Sequence, residues 1–210
     1  MADTSSALTP PRSFVARHHD ALVALALALS FFVLYVLTLC PTVYWYDSAE
    51  YAGAAYTLGI PHPPGYPLYT LLAALFARLP FEPAYSVNLM SAVFAAAAVA
   101  LAYVLSRRLG LTLVAAVVGA ATLGASRLFW SQAVIAEVYT TTLALLLVVL
   151  LLLERGVRLD RARPLWLASF VAGLGLGVHL SLATFGVGFV LLVLGLGTRI
   201  THPRELTQLF

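Results

Sequence analysis

Apolar stretches recur at 21–40, 67–79, 86–106, 111–129, 133–153, 165–182 and 184–198, and the polar residues fall mainly in the short segments between them. No charged linker, low-complexity tract or convincing internal repeat separates the stretches. A hydrocarbon core about 30 Å thick needs roughly 20 helical residues, so most of these segments can cross it. The 67–79 stretch is the exception. It reaches only about 20 Å as a helix, carries Arg78 and is bracketed by prolines. The 184–198 stretch is short, glycine-rich and follows its predecessor almost without a loop, so it is expected to be tilted or partly re-entrant. The pattern predicts an all-α, polytopic transmembrane helical bundle of about six spans, with interfacial helices in the first outer loop.

Composition narrows the class. The chain has 210 residues, 61% of them apolar and 10% charged, with a mean hydropathy of +0.94. Soluble domains carry about 25% charged residues, and a single soluble core of this size could not hide so much apolar surface. The single cysteine, Cys40, excludes an internal disulfide and a cysteine metal cluster. The twelve basic residues are all arginine, and a net charge of +3 gives no reason to expect nucleic acid as a partner.

Arginine placement predicts the topology. With 67–79 lying flat and the amino terminus inside, Arg12, Arg17, Arg107, Arg108, Arg155, Arg158, Arg161, Arg163, Arg199 and Arg204 fall on the cytoplasmic side, and Arg78 and Arg127 fall outside. If 67–79 spans instead, the best split is eight to four. The first arrangement is preferred. The run from Ala21 to Leu39 is longer than a signal-peptide core, and reads as an uncleaved first span. The expected organisation is a mobile cytoplasmic tail over 1–20, a transmembrane module over 21–200 with its outer loop at 41–84, and a short cytoplasmic tail over 201–210. Gly173 and Gly177 form a small-xxx-small pair, expected to serve helix packing.

This topology gathers Asp47, Glu50, Glu82, Glu137, His62 and His179 at the outer face. Ionisable groups at membrane depth are costly and suggest function. A helix is expected to begin at Asp47 and end near Gly59, with Tyr51, Ala54, Ala55 and Leu58 facing lipid or protein. Asp47 and Glu50 have the spacing of a capping box, and Tyr44, Trp45 and Tyr46 that of an interfacial belt. Capping and catalysis both remain open, since an oriented carboxylate at a helix start can act as a general base. The prolines of His62-Pro-Pro-Gly-Tyr66-Pro stiffen that loop, which either holds His62 and Tyr66 beside Asp47 or forms a structural turn. Glu137 could pair with Arg127, bind a polar ligand or line an aqueous cleft. His179, near the outer end of its helix, and Asn88 read by themselves as hydrogen-bonded packing residues rather than functional ones. There is no lysine, no glycine-rich phosphate loop, no His-Glu-x-x-His zinc motif and no glycine-flanked serine nucleophile. A cytoplasmic nucleotide-using enzyme is not expected.

Five blocks taken in order are specific where each alone is weak. They are Asp47-Ser-Ala-Glu-Tyr, His62-Pro-Pro-Gly-Tyr-Pro-Leu-Tyr, Val87-Asn-Leu-Met-Ser-Ala, Phe129-Trp-Ser-Gln with Ala136-Glu-Val-Tyr, and Gly175-Leu-Gly-Val-His179-Leu. Over roughly residues 25–185 the chain resembles the protein O-mannosyltransferase-like membrane proteins of the GT-C glycosyltransferase superfamily. The resemblance implies an extracytoplasmic transferase that moves a sugar, such as mannose, from a polyprenyl-phosphate donor to an acceptor hydroxyl with inversion. Asp47 matches the catalytic base. Glu50, His62, Tyr66, Glu137 and His179 fall in blocks expected to bind substrate. The implied partners are the lipid-linked sugar, membrane lipids and a protein or glycan acceptor. No cofactor or metal is required by the pattern, although a divalent cation bridging the phosphate is compatible with it. An inner cell membrane is expected from family habit. Ala49 stands where glycine is expected, and family members are usually much longer, so the chain corresponds to their amino-terminal portion. The alternatives are a transporter or flippase, which would need a polar file through the membrane, and a structural subunit of a larger glycosyltransferase.

Overall fold

A computed structural model of the chain describes residues 14–185, which hold helices and no strand. The expected 184–198 span lies almost wholly outside these residues. In order, the elements are α1 (Phe14–Leu37), α2 (Ser48–Thr57), α3 (Pro67–Phe76), α4 (Pro83–Arg108), α5 (Leu113–Ala125), α6 (Arg127–Ala133), α7 (Tyr139–Leu159) and α8 (Ala162–Leu176). A 3₁₀ turn, Leu180–Phe185, follows. Among the described residues, two segments are long and apolar enough to cross a membrane, His18–Leu37 and Pro83–Arg108. The α5–α6 pair makes a third if it crosses as one bent span.

The central helix is α4. The Glu82 carboxylate accepts from the Tyr85 N–H at 2.9 Å and Pro83 occupies the first turn, so its start is capped and pre-set. Arg107 and Arg108 in its last turn oppose the helix dipole. Its 26 residues give about 39 Å of length. Ala92, Ala95, Ala96 and Ala98 are buried and let neighbouring backbones approach closely. Around it pack α1, α5 and α7, with α2 and α3 near its amino-terminal end.

The single crossing expected at 111–129 is broken. Ser126 leaves the helical region at ψ 136, its hydroxyl donates to Leu123 O at 2.8 Å, and the same oxygen accepts from the Phe129 N–H. That local bonding ends α5 and starts α6 at a 62° bend. The expected 165–182 helix also stops early, at Leu176, so His179 sits on a loop. A Cβ added to Gly173 would meet nothing within 4 Å, so Gly173 makes no close helix contact among the described residues. Gly177 does make one, as described below.

Hydrogen bonds and ion pairs set the helix directions. Asp20, expected in the tail, lies within α1, where its Oδ1 accepts from Tyr103 OH at 2.8 Å and Arg107 Nε at 3.0 Å. The start of α1 therefore meets the end of α4. Glu154 accepts from Arg158 Nε at 2.8 Å and lies 3.6 Å from Arg108, so α7 runs parallel to α4. One end of the bundle is thus rich in arginine. The opposite end carries the residues singled out from the sequence.

Candidate functional site

The segment joining α1 to α2 is tied down before it reaches Asp47. The Cys40 N–H donates to Val134 O at 3.0 Å, and Trp130 Nε1 donates to Thr38 Oγ1 at 3.0 Å. Asn88, fully buried on α4, donates through Nδ2 to both Cys40 O and Thr42 O at 2.9 Å. Expected to bond between helices, it instead bolts the entry of this loop to the central helix. Tyr44, Trp45 and Tyr46 project outward, Trp45 with 78% of its surface exposed. Tyr46 has φ 65, an unfavourable value for a residue with a Cβ.

The capping-box alternative does not hold. Asp47 precedes α2 but its side chain makes no cap hydrogen bond. Glu50 reaches twelve residues along the chain instead, accepting from the His62 backbone N–H at 2.6 Å and contacting His62 Nδ1 at 2.8 Å. A carboxylate fully engaged by one loop cannot also close a cap on its own helix turn. Tyr51, Ala54 and Ala55 are buried as expected, whereas Leu58, in the left-handed region at φ 54, is 59% exposed.

Glu50 orients the imidazole. Accepting from Nδ1–H leaves His62 Nε2 facing the Tyr66 hydroxyl at 3.1 Å and Asp47 Oδ2 at 3.8 Å. The bond to Glu50, then the charge on Asp47, raises the His62 pKa, while the bond to His62 lowers that of Glu50. Asp47, Glu50 and His62 each offer one ligand atom, all within 4.8 Å of one another, and are the described residues that could hold a divalent cation.

The loop after His62 turns sharply. Gly65 has φ +90, which only glycine adopts without strain, and Tyr66 follows at φ 42 as the residue before α3. Leu68 and Tyr69 N–H groups, at the start of α3, donate to Gly177 O at 2.8 and 3.3 Å. A Cβ on Gly177 would lie 3.2 Å from Leu68 Cβ, so this approach of the α8 end to α3 needs a small residue. The contact brings His179 over the Tyr66 ring, nearly parallel at 17° with centroids 5.9 Å apart.

Glu137 enters from the non-helical segment between α6 and α7. Ser91 Oγ accepts from its backbone N–H and donates to its carbonyl, both at 3.4 Å. The residue is only 6% exposed. Burial, and secondarily the charge on Asp47, pushes its carboxyl up to about 7. No ion pair joins it to Arg127 among the described residues. The charges of Asp47 and His62 reach this buried carboxyl, the first raising and the second lowering its pKa.

The fold therefore brings Asp47, Glu50, His62, Tyr66, Glu137 and His179 to one end of the bundle. Sequence reasoning had assigned no site role to Tyr51, Tyr69, Tyr139 and Ser181. Tyr51 packs against His62, Tyr66 and Tyr69 with centroids 5.0–5.9 Å apart, and Tyr139 lies 5.5 Å from the His179 ring. All three tyrosines stand within the family motifs, which was the only signal available. The arrangement is a carboxylate–imidazole–phenol chain from Glu50 through His62 to Tyr66, with Asp47 beside the same imidazole and His179 stacked on the phenol ring.

A family model described as the protein O-mannosyl-transferase TMEM260 N-terminal domain matches residues 47–199, a range that starts at Asp47 and contains all six residues. Mouse (Mus musculus) protein O-mannosyl-transferase TMEM260 is 36% identical over 154 residues, 72% of this chain and 22% of the mouse protein. The matched part of the chain thus corresponds to less than a quarter of that relative's length. No solved structure matches the chain. With most of its length, and every residue of the cluster, inside the matched range, the chain belongs to the protein O-mannosyl-transferase TMEM260 N-terminal domain family.

Proposed function

We propose that this chain is the amino-terminal module of an extracytoplasmic membrane glycosyltransferase of GT-C type, with Asp47 as its general base. The observation that carries the reading is the state of Asp47. Its carboxylate is free of the helix cap, half exposed, and 3.8 Å from an imidazole already oriented by Glu50. The acceptor hydroxyl gives its proton to Asp47 as its oxygen attacks the anomeric carbon. The bond from that carbon to the phosphate oxygen breaks on the opposite face, and the polyprenyl phosphate leaves with the electron pair, inverting the configuration. Glu50 acts through His62, Tyr66 orders the two imidazoles, and Glu137 offers a carboxyl able to donate or accept near neutral pH. The acceptor is a protein or glycan hydroxyl and the sugar is mannose, by analogy with the named activity of the mouse relative.

About six spans complete the proposed topology, with the cluster outside and the arginine-rich end in the cytoplasm of a cell membrane. The separation of the two ends by the length of α4 supports this orientation. A transporter would need polar groups along its path. The buried polar residues among those described are Ser48, Thr70, Ser86, Asn88, Ser91, Glu137, Thr140, Thr141 and Thr142, all near the cluster end, which favours a one-sided site.

The test is sugar transfer from a defined polyprenyl-phosphate donor, using this chain alone and joined to the carboxy-terminal part of a longer relative. Asp47→Asn in correctly inserted protein is expected to lower transfer by about 10²- to 10⁴-fold. Transfer at the wild-type rate would remove Asp47 from the base role.

A further inference from the structure

His179 makes a contact that assigns its protons. Its Nδ1 lies 3.1 Å from the Ser181 backbone nitrogen, which donates to it, and 2.7 Å from Ser181 Oγ. A backbone N–H can only donate, so Nδ1 carries a lone pair and the ring proton sits on Nε2. Protonating Nδ1 would set two donors head to head. The backbone on either side is held as well, with the His179 N–H bonded to Gly175 O at 3.0 Å and its carbonyl accepting from Leu182. Tyr66 and Tyr139 flank the ring. No described residue accepts a hydrogen bond from Nε2.

Position gives this donor a use. Asp47 and Glu50 gather at His62, by the hydroxyl end of Tyr66, and would repel an anion placed there. His179 lies over the ring of the same tyrosine and forms no ion pair with a described carboxylate. A phosphate that gains charge as its bond to the sugar breaks is best met by a pre-oriented donor on that side.

We infer that His179 is a neutral Nε2–H donor to a phosphate oxygen of the lipid-linked substrate, with Ser181 as the positioning residue that holds its tautomer. The identity of the acceptor rests on the glycosyltransferase reading; the tautomer does not.

Nitrogen-15 NMR of histidine-labelled full chain in detergent tests the tautomer directly. The expected His179 signal is that of an Nε2–H ring, persisting below the pH at which an ordinary imidazole, near 6.5, becomes charged. Ser181→Ala keeps the backbone donor, so the tautomer stays while the ring protonates at higher pH. Binding of a short-chain polyprenyl phosphate tests the donor. His179→Gln places an amide N–H near the Nε2 position and is expected to retain binding, whereas His179→Asn and His179→Ala weaken it about 10- to 100-fold. An Nδ1–H or doubly protonated ring at neutral pH overturns the inference, as does equal phosphate binding by the Gln, Asn and wild-type proteins. The expected tautomer and Gln/Asn discrimination without sugar transfer would uphold it and count against the proposed function alone.

Discussion

Replacing Glu137 by glutamine tests whether the cluster stores an electrostatic cost in its buried carboxyl. The side chain keeps its shape and loses its charge. In the folded protein the carboxyl titrates near 7, against an ordinary value of 4.5, chiefly because its charged form is buried. At about 1.4 kcal/mol for each pH unit, that gap amounts to about 3 kcal/mol. The direction follows from proton counting. Well below pH 4.5 both folded and unfolded chains hold the proton, and Glu137 contributes no pH dependence. Between 4.5 and about 7 the unfolded chain releases it while the folded chain keeps it, so rising pH destabilises the fold. Above that window the full cost is present. Reversible unfolding of both proteins in detergent, across this range, should show Glu137→Gln gaining about 3 kcal/mol over wild type as pH rises. Other titrating groups are common to the two proteins and largely cancel in the difference. A difference curve that is flat, or that falls with pH, would refute the claim that burial governs this carboxyl.

Two further substitutions probe how the site is held. Glu50→Gln should lower the His62 pKa, because the bond to Glu50 is the foremost cause of its elevation; an unchanged His62 titration by NMR would refute that dependence. Asn88→Ala removes the two hydrogen bonds to the 40–42 segment, and should cost about 1–2 kcal/mol in detergent unfolding while raising the reactivity of the Cys40 thiol toward maleimide. Unchanged stability and labelling would show that Asn88 does not anchor this loop.

Much of the helical class was legible because apolar run length is a local property. Each backbone polar group in a bilayer must be satisfied within its own segment, so a long apolar run implies a helix. The α4 boundaries fall within a few residues of its apolar run, helped by Glu82, Pro83 and the terminal arginines. The α5–α6 break was less legible, since one serine decides it by bonding to its own turn rather than by changing hydropathy. The end of α8 was missed for a similar reason. Gly177 and His179 continue an apolar pattern, but the Gly177 carbonyl is taken by the start of α3.

The site divides in the same way. By itself the sequence determined that Asp47, Glu50, His62, Tyr66, Glu137 and His179 occur in motifs of one family, and that ten of the twelve arginines fall in segments other than those carrying these six residues. Only the tertiary structure decided that Glu50 holds His62 instead of closing a cap, that Tyr66 stands between two imidazoles, and that Glu137 is buried within electrostatic reach of Asp47. Spacing along a chain tells which groups share a turn. It cannot tell which partner wins a carboxylate when a rigid loop twelve residues away presents an N–H and an imidazole together. That competition is settled by three-dimensional distance, because hydrogen bonds act over about 3 Å regardless of how much chain lies between their ends.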